Sequence, residues 1–202
     1  MKIYVACLAS YNAGILHGEW IDMDGMDADD LRDRIADMLR RSPCPNVEVD
    51  CPECEGSGLG SWAASAVSDE RRPCVVCEGR GTVPSAEEWA VHDYDDFPDL
   101  GEYPSVERLV EVAEAISMHG GAMHVWVART GTVEGFEDAY RGYAADSWED
   151  FVEQWLEDSG ALDEVPEYLR RYIDFAAVAR DLEAEGWWAE RDTDGQLHFF
   201  SE

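Results

Sequence analysis

Residues 3–22 have the sequence IYVACLASYNAGILHGEWID, and this stretch decides how the first part of the chain folds. Residues 2–9 alternate and then become continuously apolar, which predicts a strand, and residues 17–22 predict a second strand after a short loop. Apolar side chains recur on one helical face over residues 27–41, which predicts a helix. Residues 47–49 indicate a third strand. This β-β-α-β order predicts a small sheet with one helix packed on it.

Two cysteine pairs interrupt this pattern. Residues 51–58 have the sequence CPECEGSG and residues 74–81 the sequence CVVCEGRG, so each is a C-x-x-C-x-G-x-G half-site. A half-site supplies two thiolates from one tight turn, and two turns complete a tetrahedral site. The sequence therefore predicts one structural zinc ion in a module inserted at about residues 51–81, with four ligands: Cys51, Cys54, Cys74 and Cys77.

The same cysteines leave a pair of disulfides and a redox-active C-x-x-C as alternatives. A cytoplasmic setting disfavours disulfides, and duplication of the whole half-site favours a metal. With Zn²⁺ the four thiolates would carry a charge of about −2. A site with four protein ligands has no open coordination position, so no catalysis is assigned to it. Cys44 is expected to be a spare thiol, and Cys7 a buried core residue.

The rest of the chain predicts helices followed by a hairpin. The predicted elements are a helix over 104–118 with proline in its first turn, helices over 122–141 separated at Gly131, helices over 147–158 and 174–186 capped by Ser147 and Asp174, and a β-hairpin over 187–200. These elements predict an α+β fold in three domains. They are an N-terminal α/β domain over 1–92 that carries the module, a helical middle domain over 93–142, and a C-terminal α+β domain over 143–202.

Charge is the most unusual property of the composition. The 202 residues carry 45 acidic and 15 basic side chains, a formal net charge of −30, whereas a small domain needs a net charge of about 2–8 for solubility. A nucleic-acid-binding protein has a basic footprint, so direct binding to DNA or RNA is disfavoured and a basic partner is favoured. Adaptation to high salt is an alternative, but it predicts that acidic charge is spread evenly along the chain, whereas here the charge is concentrated after residue 85. Residues 1–85 carry 15 acids and 8 bases, and residues 86–202 carry 30 acids and 7 bases.

Acidic side chains also recur on single helix faces. The predicted helix over 147–158 places five aromatic and aliphatic residues on one side and only acids on the other. The helices at 104–118 and 174–186 have a similar pattern, although Arg108 lies near the first acidic face and Arg180 dilutes the second. The candidate partner-binding acids are Glu107, Glu111, Glu114, Glu149, Asp150, Glu153, Glu157, Asp158, Asp181 and Glu185. A solvated helix face is the alternative, although solvated faces normally mix the two signs.

The total charge has the scale of a DNA-binding site. Duplex DNA carries about two charges per base pair, so thirty charges correspond to about 15 base pairs and a dimer to about 30. Carboxylates on neighbouring helical turns lie about 5–6 Å apart, a spacing suited to imitating a row of phosphates.

Three motifs resemble the ArdA family of antirestriction proteins. They are residues 3–22, the segment EEWAVHDY at 87–94 with Phe97 after it, and the segment YLRRYIDF at 168–175 followed by ARDL at 179–182. The motifs occur in family order and span nearly the whole chain except 51–81. The cysteine module is a departure, because the shorter members of the family lack it.

The resemblance implies an elongated homodimer of small α/β and helical domains, with the shape and charge of bent DNA. Such proteins bind type I restriction–modification enzymes in the groove meant for DNA and protect incoming DNA.

The sequence also indicates a non-catalytic protein. It contains no glycine-rich phosphate loop, nucleophile elbow or H-E-x-x-H pattern, and the cluster from His92 to Asp96 is the strongest alternative cation site. The sequence has no run of 18 apolar residues, so no membrane span is predicted. No signal peptide is predicted either, so the expected compartment is the cytoplasm. The half-sites are similar to the cysteine-rich region of DnaJ-type co-chaperones, so a zinc-module adaptor or co-chaperone-like interaction protein remains the alternative function.

Overall fold

The chain combines helices with antiparallel sheets, which confirms the predicted α+β class. The computed structural model describes residues 1–60, 72–144 and 146–201. These divide into two compact units, one formed by residues 1–95 with 100–110 and the other by residues 96–99 with 111–202. The three-domain division of the sequence stays a prediction.

A three-stranded antiparallel sheet forms the centre of the first unit. Strand β1 (Lys2–Cys7) lies between β2 (Gly18–Asp22) and β5 (Trp89–Asp95). In register, Ile3 pairs with Ile21 on one side and with Tyr94 on the other. Ile3 and Val5 are fully buried, because β1 is the middle strand and its inward face is covered.

The strand predicted over 2–9 ends earlier, at Cys7, and a short helix α1 (Leu8–Asn12) follows where a loop was predicted. This helical turn places the Ser10 hydroxyl in the core, where its Oγ lies 2.9 Å from Oγ of Ser42. The Cys7 thiol lies 3.3 Å from the same Ser42 Oγ. A buried hydroxyl needs a hydrogen-bonding partner. If the strand continued to Ser10, its side chain would point to the opposite face of the sheet from Cys7, away from Ser42.

The predicted helix over 27–41 is confirmed as α2 (Ala28–Arg40). The Asp27 side chain caps it by accepting hydrogen bonds from the N–H groups of Asp29 and Asp30. Leu31, Ile35, Met38 and Leu39 are buried on one face, as the periodicity indicated.

The third predicted strand does not join the first sheet, and this part of the β-β-α-β prediction was wrong. Strand β3 (Val47–Asp50) pairs with β4 (Thr82–Ser85) in a separate two-stranded ribbon. The ribbon is joined to α2 by the hydrogen bond from Ala86 N–H to Leu39 O at 3.1 Å. Asp50 pairs directly with Thr82, so residues 51–81 are inserted between two neighbouring strands, as predicted.

The second unit packs helices on a sheet whose strand order is β6-β8-β7. The helices are α3 (Val106–His119), which also contributes residues to the first unit, and α4 (Gly121–Thr130), α5 (Phe136–Ala139), α6 (Trp148–Asp158), α7 (Glu167–Arg170) and α8 (Phe175–Ala184). The strands are β6 (Tyr140–Ala144), β7 (Trp188–Arg191) and β8 (Leu197–Phe200). Phe199 and Phe200 of the middle strand are fully buried.

The helix and hairpin predictions in this unit are largely confirmed. Ser147 Oγ accepts a hydrogen bond from the Asp150 N–H, and Asp174 Oδ1 accepts one from the Ala177 N–H, so both residues cap helices. Gly131 ends α4 in the left-handed conformation. Helix α3 begins after Pro104 and not at it, because Ser105 Oγ accepts from the Arg108 N–H and takes the capping position.

Strand β6 was missed, because residues 122–141 favoured helices. It pairs with β8, almost sixty residues away in the sequence: Tyr140 lies opposite Phe200 and Tyr143 opposite His198. Aromatic residues suit either element, and the long-range pairing decides between them. Among the described residues, no helix is long and apolar enough to span a membrane.

Asp192 connects the hairpin to α4. Its carboxylate accepts hydrogen bonds from Nε2 of His198 at 2.8 Å and from the backbone N–H groups of Gln196 and Asp194 at 2.8 and 3.0 Å. A Cβ at Gly121 would collide with this carboxylate. Burial raises the pKa of Asp192, but the hydrogen bonds from His198 and Gln196 and the charge of His198 outweigh burial, and the pKa is lowered.

We expect Asp192→Asn to reduce the free energy of unfolding by about 2 kcal/mol at neutral pH, because buried donors lose a charged acceptor. The folded pKa lies below the unfolded value of about 3.9. The stability that ionised Asp192 gives the wild type is therefore fully present above the unfolded pKa, and it is lost as the pH falls through the lowered folded pKa. Chemical denaturation across this pH range measures it. The exposed Asp194→Asn variant is the control, and equal stability of the two variants at neutral pH would contradict the assignment.

Candidate metal centre and acidic surfaces

Two cysteine turns face each other at the end of the β3–β4 ribbon, and their backbones are joined by a matched pair of hydrogen bonds. The N–H of Cys51 donates to the Gly81 carbonyl at 2.8 Å, and the N–H of Cys74 donates to the Gly58 carbonyl at 2.8 Å. Because Cys51 directly follows β3 and Gly81 directly precedes β4, the ribbon itself sets the distance between the turns.

Glycine is required where the two turns approach each other. Gly58 and Gly81 have positive φ angles of 72° and 82°, a conformation that other residues rarely adopt. A Cβ at Gly81 would lie 2.5 Å from the Gly56 carbonyl oxygen, and a Cβ at Gly58 would lie 2.6 Å from that of Gly79. The repeated glycines of the half-sites therefore allow both turns to bring their sulfurs to one point.

The four sulfur atoms have the spacing of a tetrahedral metal site. All lie within 4.8 Å of one another, and the four cysteines are buried. Sγ of Cys51 lies 3.9 Å from Sγ of Cys74, and Sγ of Cys54 lies 3.7 Å from Sγ of Cys77. A tetrahedral ion with bonds of about 2.3 Å to sulfur separates its ligands by about 3.8 Å. A disulfide requires about 2.05 Å, and none joins the four cysteines of the cluster.

Backbone N–H groups support thiolates in this cluster. The N–H of Gly58 donates to Sγ of Cys54 at 3.2 Å, and the N–H of Gly81 donates to Sγ of Cys77 at 3.3 Å. Burial raises the pKa of the Cys51 thiol to about 11. At Cys77 the hydrogen bonds from Gly81, Cys54 and Gly79 outweigh burial and lower the pKa to about 7. A cation bound by all four sulfurs would hold them as thiolates and leave no open coordination position.

Cys7 and Cys44 lie outside this cluster. Cys7 is fully buried in β1, as expected of a core residue. Cys44 is half-buried, and its N–H donates to Ser42 Oγ at 3.1 Å. His92 packs edge-on against Tyr11 with ring centroids 4.9 Å apart. Within the described ranges, the four cysteines are the group whose ligand atoms converge, and the segment from His92 to Asp96 does not form a second one.

The candidate acids are all exposed. They are Glu107, Glu111 and Glu114 on α3, Glu149, Asp150, Glu153, Glu157 and Asp158 on α6, Asp181 on α8, and Glu185 at its C-terminal cap. On α6, no ion pair joins Glu149, Glu153 or Glu157 to another described residue, whereas Phe151 and Val152 on the opposite face are buried. The α6 face therefore presents carboxylates at i, i+4 and i+8 that form no ion pair with a base in the described ranges.

Glu107 is paired with an arginine within the first unit. Arg32 of α2 binds both Glu107 and Asp29, the latter at 2.7 Å. The pKa of Glu107 is lowered, first by a backbone hydrogen bond at its own N–H and then by Arg32. The sequence does not reveal this pairing, because Arg32 lies 75 residues away. Glu107 thus presents less uncompensated charge than the α6 acids.

The sequence was compared with models of known protein families and with curated proteins. The sequence model of a family described as Antirestriction protein (ArdA) matches residues 3–193. A comparison with curated proteins found no match.

Proposed function

Because the chain belongs to the ArdA family of antirestriction proteins, we propose that it occupies the DNA-binding groove of a type I restriction–modification enzyme as an acidic mimic of DNA. The acidic face of α6 is the observation that carries this proposal. It presents Glu149, Glu153 and Glu157 without compensating bases among the described residues, in a chain with a net charge of −30. A groove built for phosphates holds Lys and Arg side chains that carboxylates can engage.

The cost of this surface in the free protein supports the same proposal. Like charges at i and i+4 destabilise a helix by about 0.2–0.5 kcal/mol per pair, and α6 has two such pairs in this row. A basic groove would relieve the repulsion, so that part of the binding free energy comes from removing it. The protein then acts by occupancy and without catalysis, in the cytoplasm where such enzymes meet incoming DNA.

We expect the inhibitor to be a homodimer. Tyr143 and Tyr172 in the second unit are 57% and 77% exposed, and tyrosine is enriched at interfaces between proteins. Light scattering across micromolar concentrations is expected to give twice the chain mass. A constant value of 22.6 kDa would contradict a dimer.

The cysteine cluster is proposed to hold one Zn²⁺ as a structural ion. When bound, the ion supplies cross-links between the two turns and a closed tetrahedral site. The protein's own residues supply the geometry: the ribbon sets the spacing, and Gly58 and Gly81 allow the close approach.

Metal analysis of protein purified without added zinc is expected to give one zinc per chain. Cys54→Ser should remove most of it, because one of four ligands and its N–H···S bond are lost. Cys44→Ser, outside the cluster, is the control and should keep full stoichiometry. A zinc content near zero in the wild type, or one unchanged by Cys54→Ser, would refute the assignment.

Inhibition by the α6 face is expected to be collective. Each exposed pair contributes only about 0.2–1 kcal/mol, so a single Glu→Gln change on α6 should have little effect. The triple change of Glu149, Glu153 and Glu157 to Gln should weaken inhibition of a type I enzyme, reduce its salt dependence and stabilise the free helix. Inhibition across a salt series and thermal unfolding are the paired measurements.

A control with the same change in net charge is available in the module, where Glu53, Glu55 and Glu78 are exposed. Changing these three to Gln should leave inhibition nearly unchanged. Loss of inhibition from one α6 substitution would contradict the collective model. Equal effects of the two triple variants would contradict a specific role for α6.

A second candidate function is a zinc-module adaptor. It is favoured by Val75 and Val76, which lie between Cys74 and Cys77 and are 90% and 55% exposed. Because Asp50 pairs with Thr82, residues 51–81 can be replaced by a two-residue Asn-Gly turn that closes the ribbon. A DNA mimic should still inhibit the enzyme after this replacement. Loss of inhibition by a variant that remains folded would favour the adaptor.

A further inference from the structure

A groove in the first unit combines exposed aromatic rings with carboxylates. It consists of two adjoining cavities of about 530 and 500 Å³ that share Leu8, Glu88 and Tyr103. Tyr11 and Glu102 line the larger cavity, and Trp89 lines the smaller one. No Lys or Arg lines either cavity among the described residues. The groove lies far in sequence from the α6 face, and none of its residues belongs to the candidate acids discussed above.

Two tyrosine rings of this groove are exposed, and one of them is held by a ring contact. Tyr103 is 71% and Tyr11 56% exposed. The Tyr11 ring packs edge-on against His92 with centroids 4.9 Å apart, so its orientation is fixed without its being buried. A tyrosine that is not needed by the core and is held at the mouth of a cavity presents a flat, electron-rich face to a ligand.

Two carboxylates that line the groove are those of Glu88 and Glu102. No hydrogen bond or ion pair joins the side chain of Glu88 or Glu102 to another described residue. Their backbones are nevertheless fixed: the Leu8 N–H donates to the Glu88 carbonyl at 3.1 Å, and the Val91 N–H donates to the Glu102 carbonyl at 2.9 Å. Both carboxylates therefore project from well-defined positions.

Elsewhere in this unit, carboxylates that serve the fold are paired with arginines. Glu19 lies 3.2 Å from Arg34 and 2.6 Å from Arg41, and Glu107 pairs with Arg32. The groove has the same kind of acid without the arginine. Among the described residues no arginine pairs with these acids, so they are available to a cation of a partner protein.

We propose that this groove receives an arginine side chain from the basic surface of the partner protein. A guanidinium group stacks on an aromatic face and forms paired hydrogen bonds with a carboxylate, and Tyr103 with Glu88 and Glu102 provides both. The aliphatic part of the side chain would lie along Leu8 and Trp89. Lysine is a weaker occupant, because its ammonium group is more strongly hydrated and not planar.

This inference rests on the proposed function only for the identity of the partner. Its chemistry is distinct from phosphate imitation, since a row of carboxylates needs no aromatic walls. Phosphate groups of nucleic acid are excluded as occupants by the charge of Glu88 and Glu102, and arginine is favoured by the same charge.

Titration with the blocked peptide acetyl-Gly-Arg-Gly-amide, followed by NMR of the aromatic ring signals, tests the proposal. We expect saturable shifts at Tyr103, Tyr11 and Trp89. The dissociation constant should rise about fivefold in Tyr103→Ala, as expected for loss of a cation–π contact, and similarly in the double variant Glu88→Gln, Glu102→Gln. The corresponding lysine peptide should bind more weakly than the arginine peptide.

The matched control is Glu153→Gln with Glu157→Gln on α6, which makes the same change in net charge and should leave the ring shifts and affinity nearly unchanged. Both Tyr103 and the two groove acids are exposed, so the variants should keep the wild-type amide spectrum, which the same samples verify. Absence of saturable ring shifts, equal binding of the two peptides, or equal weakening by the control would overturn the proposal. The titration contains no restriction enzyme, so its outcome is independent of the inhibition measured with the α6 variants.

Discussion

Repulsion among uncompensated carboxylates is the constraint to which the rest of the structure must respond. Folding brings the charges of a chain with net charge −30 closer together, which opposes the compact state. The second unit offsets this with aromatic packing. Phe151 of α6 stacks on Phe199 of β8 with ring centroids 3.9 Å apart, and Trp188 stacks on Phe200 at 4.2 Å. One face of α6 is thus held by apolar contact, while the other carries charge that the fold does not use.

The few basic residues of the first unit are placed differently. Arg32, Arg34 and Arg41 all lie on or directly after α2, and each pairs with an acid of another element. These pairs join α2 to β2 and to the start of α3. Arg32, Arg34 and Arg41 therefore serve internal contacts in this unit, whereas no base of the described part of the chain forms an ion pair with Glu149, Glu153 or Glu157 of α6. This difference separates carboxylates that support the fold from carboxylates available to a partner.

Local patterns in the sequence predict most of the elements, and contacts between distant residues account for what they miss. The caps Asp27, Ser147 and Asp174 act within three residues, so the helices that they begin were predictable. The spacing of the half-sites predicted the cysteine cluster, because each turn is a local structure. Strand β6 and the Arg32–Glu107 pair depend on partners far along the chain. The groove proposed to receive an arginine is lined by Leu8, Glu88 and Tyr103. These residues are far apart in the sequence, so no local pattern predicts that they lie together.

Competition with DNA tests the central claim of mimicry most directly. The protein is mixed with a purified type I methyltransferase at fixed salt, and the complex is measured while duplex DNA carrying the recognition site is added. Mutually exclusive binding, with each ligand raising the apparent dissociation constant of the other in proportion to its concentration, is the predicted result. A stable ternary complex of enzyme, DNA and this protein would contradict the claim that it occupies the DNA-binding groove.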